Sequence, residues 1–217
     1  MSNLIAIIKD SDIGYEDIKF NNPQVRYASR GIVFNKDNKI AIFNKVNKNE
    51  FKLPGGGVEK EETFSEAFIR EVREETGCIL DNIKEIGYVE EYKSQSNFKQ
   101  ISKVFIGECR KQNNFLNLTE KEKDEGGTLL WMDIDEALET MKNSFDNLIG
   151  SKYENIYITK FMWLEILKFL NITKIIKKAY NPKSGYMLLI FYVSYGCIAP
   201  NRTNQASSVL ATRLKVI

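Results

Sequence analysis

The 217-residue sequence contains no histidine. Histidine is the usual general base near neutral pH and a very common zinc ligand. Its absence therefore excludes nucleophilic schemes that pair serine or cysteine with histidine, and it excludes metal sites built on imidazole. Any chemistry must come from carboxylates, lysines, tyrosines or a hard metal ion held by oxygen ligands.

Cysteine is scarce, and the three that occur, Cys78, Cys109 and Cys197, have no metal-ligand spacing. An odd, scattered set is typical of reduced thiols in a cytosolic protein, so we expect no disulfide framework. The apolar start at residues 1–8 has neither a basic beginning nor a small-residue cleavage site, so it does not resemble a signal peptide. The sequence therefore predicts a cytoplasmic location.

A strong charge imbalance is also missing, because 31 basic residues against 29 acidic ones leave a net charge of +2. Nucleic-acid-binding domains usually carry a concentrated basic face, so we expect no nucleic-acid partner. With 43% hydrophobic residues, the chain has enough apolar side chains for one globular domain of ordinary size and an additional segment.

Short β-rich runs alternate with helical patterns along residues 24–150. A polar NKDN segment between the first two runs predicts a hairpin, and KSQSN predicts a turn further on. Helices are predicted over 64–76, from the capping pair Thr63 and Glu66, and from Asp133 onward. The predicted strands are 30–34, 39–44, 86–92, 99–110 and 127–132. This order predicts an α/β sandwich with a mixed sheet.

The character of the sequence changes after about residue 157, so we predict a domain over 1–157, with its core at about 24–150, and an extension over 158–217. Residues 161–180 are apolar and predicted to be helical. The apolar run 186–199 is shorter than the roughly 20 residues of a membrane-spanning helix. The last eighteen residues are predicted to be loose. The extension has three interpretations: an added packing layer, a membrane-surface contact or a homodimer element. The short run favours packing over a membrane role.

The helix predicted over 64–76 places glutamates where its apolar side should be. On a wheel of about 100° per residue, one stripe contains Phe64, Ala67, Phe68 and Val72. Glu71 and Glu75 fall inside that stripe, and Glu74 falls at its edge. Charge clusters usually lie on solvated helix faces, but here the wheel argues against that interpretation.

Inward glutamates at these spacings repel one another. At about 4 Å each pair costs about 1 kcal/mol in water and about 4 kcal/mol at an effective dielectric of 20. We expect a divalent metal ion to remove this penalty, and oxygen-only ligands select Mg²⁺ or Mn²⁺. Three glycines, Gly55, Gly56 and Gly57, precede the helix and would bring backbone close to a metal or phosphate; a plain glycine turn is the alternative.

From Gly56 to Cys78 the sequence reads G-x5-E-x7-R-E-U-x-E-E-x-G-U, where U is an apolar residue. This pattern resembles the Nudix box of the Nudix hydrolase family. It departs only at Cys78, where a bulky aliphatic residue is typical, and we expect this small hydrophobe to alter packing without loss of activity. The KLPGG segment before the box and LLWMDIDEAL after it also resemble the family, so the resemblance extends over about residues 24–150.

The resemblance implies an α/β/α sandwich that uses Mg²⁺ or Mn²⁺ to hydrolyse a nucleoside diphosphate linked to another moiety. It implies that Glu71, Glu74, Glu75 and the Gly55 carbonyl bind metal, with Glu71 also the candidate base. Arg70 and Glu62 would complete the catalytic group by orienting these glutamates. The expected partner is a nucleotide-derived small molecule. The alternative is a non-catalytic Nudix-like module that senses a nucleotide, although such modules are expected to have lost box glutamates.

Three further residues are candidates outside the box. Family members often supply another acidic residue from a later loop, and Glu125, just before the predicted strand at 127–132, is our choice for a metal ligand. A solvated mixed-charge loop is an equal alternative for that segment. Arg30 and Lys52 are the candidate substrate-binding residues, because their charges suit phosphate.

Overall fold

A mixed β-sheet forms the centre of the protein, with helices on both of its faces. The computed structural model describes residues 2–113, 115–146, 155–181 and 186–187. The main sheet contains β1 (Leu4–Lys9), β2 (Gln24–Phe34), β3 (Ile40–Lys45), β4 (Glu50–Lys52), β5 (Gly55–Gly57), β6 (Cys78–Lys93), β7 (Phe98–Gln112) and β8 (Gly127–Met132). The helices are α1 (Phe64–Thr76), α2 (Glu120–Asp124), α3 (Ile134–Asp146) and α4 (Ile156–Ala179).

The sheet has the order β1-β6-β7-β2-β3-β4 and contains both parallel and antiparallel pairs. β1 and β6 are parallel, β6 and β7 antiparallel, and β7 and β2 parallel again over eleven residue pairs. The glycine strand β5 pairs with β2, and β8 pairs with β3. β5 therefore lies next to β2, near the centre of the sheet.

Alternation along β2 assigns its residues to two cores, because successive side chains in a strand point to opposite faces. Val33 packs with Phe68 and Val72 of α1 in one core. Ile32 lies in the other core, which contains buried residues of α3 and α4. The predicted α/β sandwich with a mixed sheet is therefore confirmed, with α1 on one face and α3 and α4 on the other.

Local sequence signals predicted most elements correctly. α1 spans Phe64–Thr76 as predicted, and α3 follows Asp133. The predicted hairpin is only partly correct, because β2 and β3 pair at a single position, Phe34 with Ile40. Both strands form their longer pairings elsewhere, with β7 and β8. β1, β4, the glycine strand β5 and the short α2 were not predicted.

The chain divides into two units, Met1–Asn171 and Ile172–Ile217. The first unit includes α4 as far as Asn171, where Phe161, Trp163 and Ile166 are fully buried. The predicted boundary at 157 stays a prediction. Beyond α4, Tyr180–Asn181 (β9) pairs with Tyr186–Met187 (β10), and the rest of the predicted apolar run and the predicted loose tail lie outside the described residues. Within the described ranges, no helix has the length and apolar character needed to cross a membrane.

Candidate active site

Capping chemistry fixes the position of α1. The Thr63 side chain accepts a hydrogen bond from the Glu66 backbone N–H, and the Glu66 carboxylate accepts one from the Thr63 backbone N–H at 2.8 Å. At the other end Gly77 adopts φ +69°, a conformation that favours glycine. With both ends defined, the glutamates of the last two turns have a fixed orientation toward the sheet.

The three candidate metal ligands on α1 differ in exposure. Glu75 is 1% exposed and faces the sheet beside the apolar stripe. Glu71 is partly buried, with a side chain 17% exposed, and Glu74 is the most open, at 34%. The exposure of these carboxylates therefore increases from Glu75 to Glu71 to Glu74.

The glycine strand β5 lies directly against these carboxylates. The Gly55 backbone N–H donates to Glu75 Oε2 at 2.9 Å. A Cβ atom added at Gly56 would lie 2.3 Å from Glu71 Oε1, closer than any real contact. Only glycine at position 56 therefore leaves room for the Glu71 carboxyl group next to the backbone.

Arg70 joins the glutamates of the motif through one guanidinium group. Its Nε and Nη2 donate to the two oxygens of Glu62 at 2.8 and 3.0 Å, which is a bidentate pair. Its Nη1 donates to Glu71 at 2.9 Å and to Glu74 at 3.3 Å, and Nη2 also donates to the Gly57 carbonyl at 3.1 Å. The structure therefore brings Glu62, Arg70, Glu71 and Glu74 together at the end of the glycine strand.

Lys52, on β4, provides a second internal cation. Its Nζ lies 2.6 Å from Glu75 Oε1 and 3.7 Å from Glu122 of α2. Burial would lower the pKa of Lys52, but the Glu75 carboxylate outweighs it and raises the pKa overall. Arg70 and Lys52 therefore provide part of the compensation that was expected from a divalent metal ion.

The pKa values of Glu62 and Glu71 are shifted in opposite directions. Burial and the neighbouring Glu75 raise the pKa of Glu71, in spite of its bond from Arg70. The bidentate bond from Arg70 lowers the pKa of Glu62. Glu62 is therefore a stable anion that holds the guanidinium group, whereas Glu71 is a carboxylate on which negative charge is less favourable.

The donor atoms available around the glycine strand are all oxygens. The Glu71, Glu74 and Glu75 carboxylates and the Gly55 carbonyl form a set that suits Mg²⁺ or Mn²⁺. Across the described residues, no three acidic or cysteine side chains are gathered as a metal site. Arg70 and Lys52 contact the glutamates. The chemistry of the donor set fits a hard divalent ion, which would have to displace those cations.

The remaining predicted site residues lie in ion pairs. Glu125 is 6% exposed and contacts Lys45 and Lys48, each at 2.7 Å, at the turn between α2 and β8. The described contacts of its carboxyl group are with lysines, and they do not join it to the glutamates of α1. Arg30 contacts Glu165 of α4 at 3.2 Å. Their proposed roles in binding metal and substrate stay predictions.

Sequence reasoning missed a buried polar group on the face opposite α1. Glu91, Lys93 and Glu165 are all at most 4% exposed. A signal for Glu165 was present, because it is the one acidic residue in the apolar segment FMWLEILKFL. Val89, Glu91 and Lys93 are spaced by two along β6 and are all buried, so the two charged side chains lie on the same core face as Val89.

Comparison with known proteins gives a family match. A model of the NUDIX domain matches residues 25–150. An ADP-ribose pyrophosphatase of Methanocaldococcus jannaschii is 50% identical over 50 residues, which are 22% of this chain and 30% of that protein. An RNA pyrophosphohydrolase of Pelagibacter ubique is 34% identical over 99 residues, 44% of this chain and 61% of that protein. The chain thus spans less than two thirds of either relative.

The solved structures that match this chain include two described as MutT proteins. One is a MutT NUDIX hydrolase from Burkholderia pseudomallei, with 18% identity and a TM-score of 0.42. The match covers 52% of this chain and 86% of that protein chain. The other, from Methanosarcina mazei, has 18% identity and a TM-score of 0.42, with coverage of 71% and 98%. Because the family model matches more than half of the 217 residues, the chain belongs to the NUDIX domain family.

Proposed function

We propose that the protein is a metal-dependent hydrolase that cleaves a phosphoanhydride bond in a nucleoside diphosphate linked to another moiety. The observation that carries this proposal is the packing of Glu71 and Glu75 against the backbone of Gly55 and Gly56. The names of the two relatives, a pyrophosphatase and a pyrophosphohydrolase, support the same bond type.

The residues that would hold Mg²⁺ or Mn²⁺ are Glu71, Glu74, Glu75 and the Gly55 carbonyl. When bound, such an ion supplies positive charge for phosphate oxygens and lowers the pKa of water. The Gly55 carbonyl currently accepts a long hydrogen bond, 3.4 Å, from Arg30 Nη1. That weak bond leaves the carbonyl available as a ligand.

Within the protein, Glu71 is the candidate general base. Arg70 donates to its Oε1, and the missing Cβ of Gly56 leaves space for both of its oxygens. This carboxylate would take a proton from the attacking water, while the bridging oxygen of the anhydride leaves with one phosphate product. Glu62 keeps the Arg70 guanidinium aligned, so both are positioning residues for Glu71.

Cations for the substrate phosphates lie next to the glycine strand. Arg26 is exposed, and a Cβ on Gly57 would lie 3.3 Å from its Nη2. It is therefore a better placed phosphate contact than Lys52, whose ammonium is bound to Glu75. Arg30 remains a substrate candidate through its position beside Gly55.

A substrate panel tests the proposal. Nucleoside triphosphates, dinucleoside polyphosphates, ADP-ribose and nucleotide sugars are incubated with Mg²⁺, with Mn²⁺ or with a chelator. We expect turnover of at least one compound, lost with the chelator and reduced at least about 100-fold in Glu74→Gln and Glu75→Gln. Glu139→Gln, an exposed glutamate on α3, is the matched control and should retain activity.

Two results would contradict this function. Folded glutamine variants that match the parent in rate would show that the roles of Glu74 and Glu75 are wrongly assigned. Tight binding of a nucleotide with no turnover under either metal would favour the sensing module. The sequence charge of +2 supports a small-molecule rather than a nucleic-acid partner, and the scattered cysteines support a cytoplasmic location. Sedimentation of the purified chain tests the possible homodimer.

A further inference from the structure

A cavity lies between the sheet and α4, on the face opposite α1. Its volume is about 320 Å³. Its walls come from β2, β6, β7 and α4, and include Arg30, Glu91, Lys93, Phe98, Met162 and Glu165. This volume is at the lower end of the range for small-molecule sites, which is about 300–1,000 Å³.

Glu165 is the most unusual residue in this wall. It is fully buried, and its Oε2 lies 3.2 Å from Arg30 Nε. Neither of its oxygens has a hydrogen bond of standard geometry from any described residue. Burial and the nearby Glu91 carboxylate raise the pKa of Glu165 to about 7, in spite of Arg30. The nearby Ser102 hydroxyl lowers that pKa through a weaker side-chain interaction. A carboxyl group in this state has acceptor capacity left for an N–H donor.

Lys93 is paired within the protein, whereas Glu91 Oε1, like the two oxygens of Glu165, has no hydrogen-bond partner among the described residues. Lys93 Nζ contacts Glu91 Oε2 at 2.7 Å and lies 5.6 Å from the centre of the Phe98 ring. Gln100 donates to Ser102 at 3.1 Å. An unsatisfied buried polar atom costs about 1–3 kcal/mol, so Glu165, with two oxygens that lack a hydrogen bond against one on Glu91, is the stronger candidate acceptor.

Arg30 connects this cavity to the candidate active site. Its Nε contacts Glu165, and its Nη1 donates to the Gly55 carbonyl at 3.4 Å. A ligand in the cavity would therefore lie one arginine side chain away from the glycine strand. Phe98 and Met162 provide apolar surface suited to a flat ring, while Glu165 provides an acceptor at its edge.

We propose that this cavity binds the base of the nucleotide substrate and that Glu165 accepts a hydrogen bond from an amino group on that base. The inference rests on the proposed function for the identity of the ligand. α4 begins at Ile156, after the residues 25–150 that match the family model. Glu165 would therefore determine base specificity from a helix that lies outside the residues matched by the family model.

Binding of nucleoside monophosphates without metal tests this assignment separately from hydrolysis. Two matched pairs are titrated by NMR: GMP against IMP, which lacks the 2-amino group, and AMP against purine riboside monophosphate, which lacks the 6-amino group. The wild-type protein should bind the amino compound about tenfold more tightly in at least one pair, because a hydrogen bond to a charged group is worth about 1.5–3 kcal/mol.

The variants locate that preference. Glu165→Gln should reduce it, Glu165→Met should abolish it, and the exposed Glu139→Gln should leave it unchanged. Equal binding within both pairs by the wild type would overturn the assignment without any variant, even where Glu165→Met does not fold. A preference that survives in folded Glu165→Met would also overturn it. Failure of hydrolysis alone would leave these binding results intact and would count against the proposed function instead.

Discussion

At the scale of single residues, charge compensation is the main physical feature of the candidate site. Two carboxylates on one helix face are stable because each has a cation from a different direction, Arg70 from the same helix and Lys52 from β4. Both cations would have to release oxygens for a metal ion to bind. The apparent metal affinity of the site therefore depends on how strongly each pair is held.

Lys52→Met tests the role of the buried ammonium. Lys52 and Glu75 have side chains 11% and 2% exposed, and removing one partner of a buried pair costs about 3–5 kcal/mol. We expect the free energy of unfolding in a chelator to fall by about 3 kcal/mol, and Mg²⁺ to restore more stability in the variant than in the parent. Denaturant unfolding with and without Mg²⁺ measures both quantities.

Lys103→Met is the matched control for that variant. Lys103 pairs with Glu85 at 2.9 Å, with both side chains about 30% exposed, so its loss should cost less than 1 kcal/mol and be insensitive to Mg²⁺. Equal stability of parent and Lys52→Met in the chelator would contradict the view that Lys52 compensates Glu75.

Glu125 gives a prediction about acid. Burial raises the pKa of Glu125, but bonds from Lys45 and Lys48 outweigh this and lower it to about 2. A folded-state pKa below the unfolded value contributes stability above the unfolded pKa, which is lost as pH falls through the folded one. Glu125→Gln should therefore be less stable than the parent at pH 7, by roughly 1–2 kcal/mol once solvent screening is allowed for.

That difference should shrink as the pH falls from about 4.5 toward 2. Denaturant unfolding at pH 7, 4 and 2.5 measures it. Glu120→Gln, which removes a carboxylate 86% exposed in a pair with Lys123, should show little effect at any pH. A difference between parent and Glu125→Gln that stays constant from pH 7 to 2.5 would contradict the lysine-bound assignment.

Only part of this residue-level organisation is encoded locally. The wheel placed Glu71 and Glu75 on the inner face because helical spacing alone determines the face of each position. The contact between Lys52 and Glu75 was not predicted, because it joins β4 and α1 across 23 positions of sequence and has no local signal. A phosphate contact was predicted for Lys52 instead. Glu165 was missed because one charge in an apolar helix has no marked partner in the sequence.

At the scale of elements, helix ends were predictable and strand partners were not. Side-chain chemistry within four residues determines where α1 begins and ends, so Thr63, Glu66 and Gly77 were sufficient. β2 and β3 follow one another and signal a hairpin, yet β2 forms its long parallel pairing with β7. That choice depends on burial across the whole sheet, which local turn chemistry does not specify.

Two capping boxes with the same chemistry allow a direct comparison. Thr63 caps the 13-residue α1, which buries five residues, whereas Thr119 caps the five-residue α2, which buries none. We expect Thr63→Ala to cost about 1 kcal/mol of global stability. Thr119→Ala should cost much less, because α2 can fray without exposing the core. Thermal unfolding followed by circular dichroism measures both, and equal losses would contradict this explanation.

At the scale of the whole molecule, the family-matched domain and α4 share one core. The amino-acid composition changes near residue 157, where an apolar segment begins. The structure nevertheless places the apolar side chains of α4, as far as Leu170, in the same cluster as Ile32 and Ile42 of the sheet. Composition identifies an apolar segment but does not specify what covers it.

Truncation tests whether the boundary at 157 divides independent parts. A chain ending at Asn155 lacks Phe161, Trp163, Ile166, Phe169 and Leu170, all of them fully buried. Each such side chain stabilises a fold by about 1.5–3 kcal/mol, so their sum approaches the 5–15 kcal/mol that typically separates folded from unfolded states. We expect this chain to lose cooperative unfolding, whereas a chain ending at Lys174 should keep it, because the first unit ends at Asn171. Circular dichroism melts of the two chains beside the full-length protein make the comparison. Cooperative unfolding of the shorter chain at the full-length melting temperature would show that α4 is a separable extension, and it would also remove the wall that contains Glu165 from the folded domain.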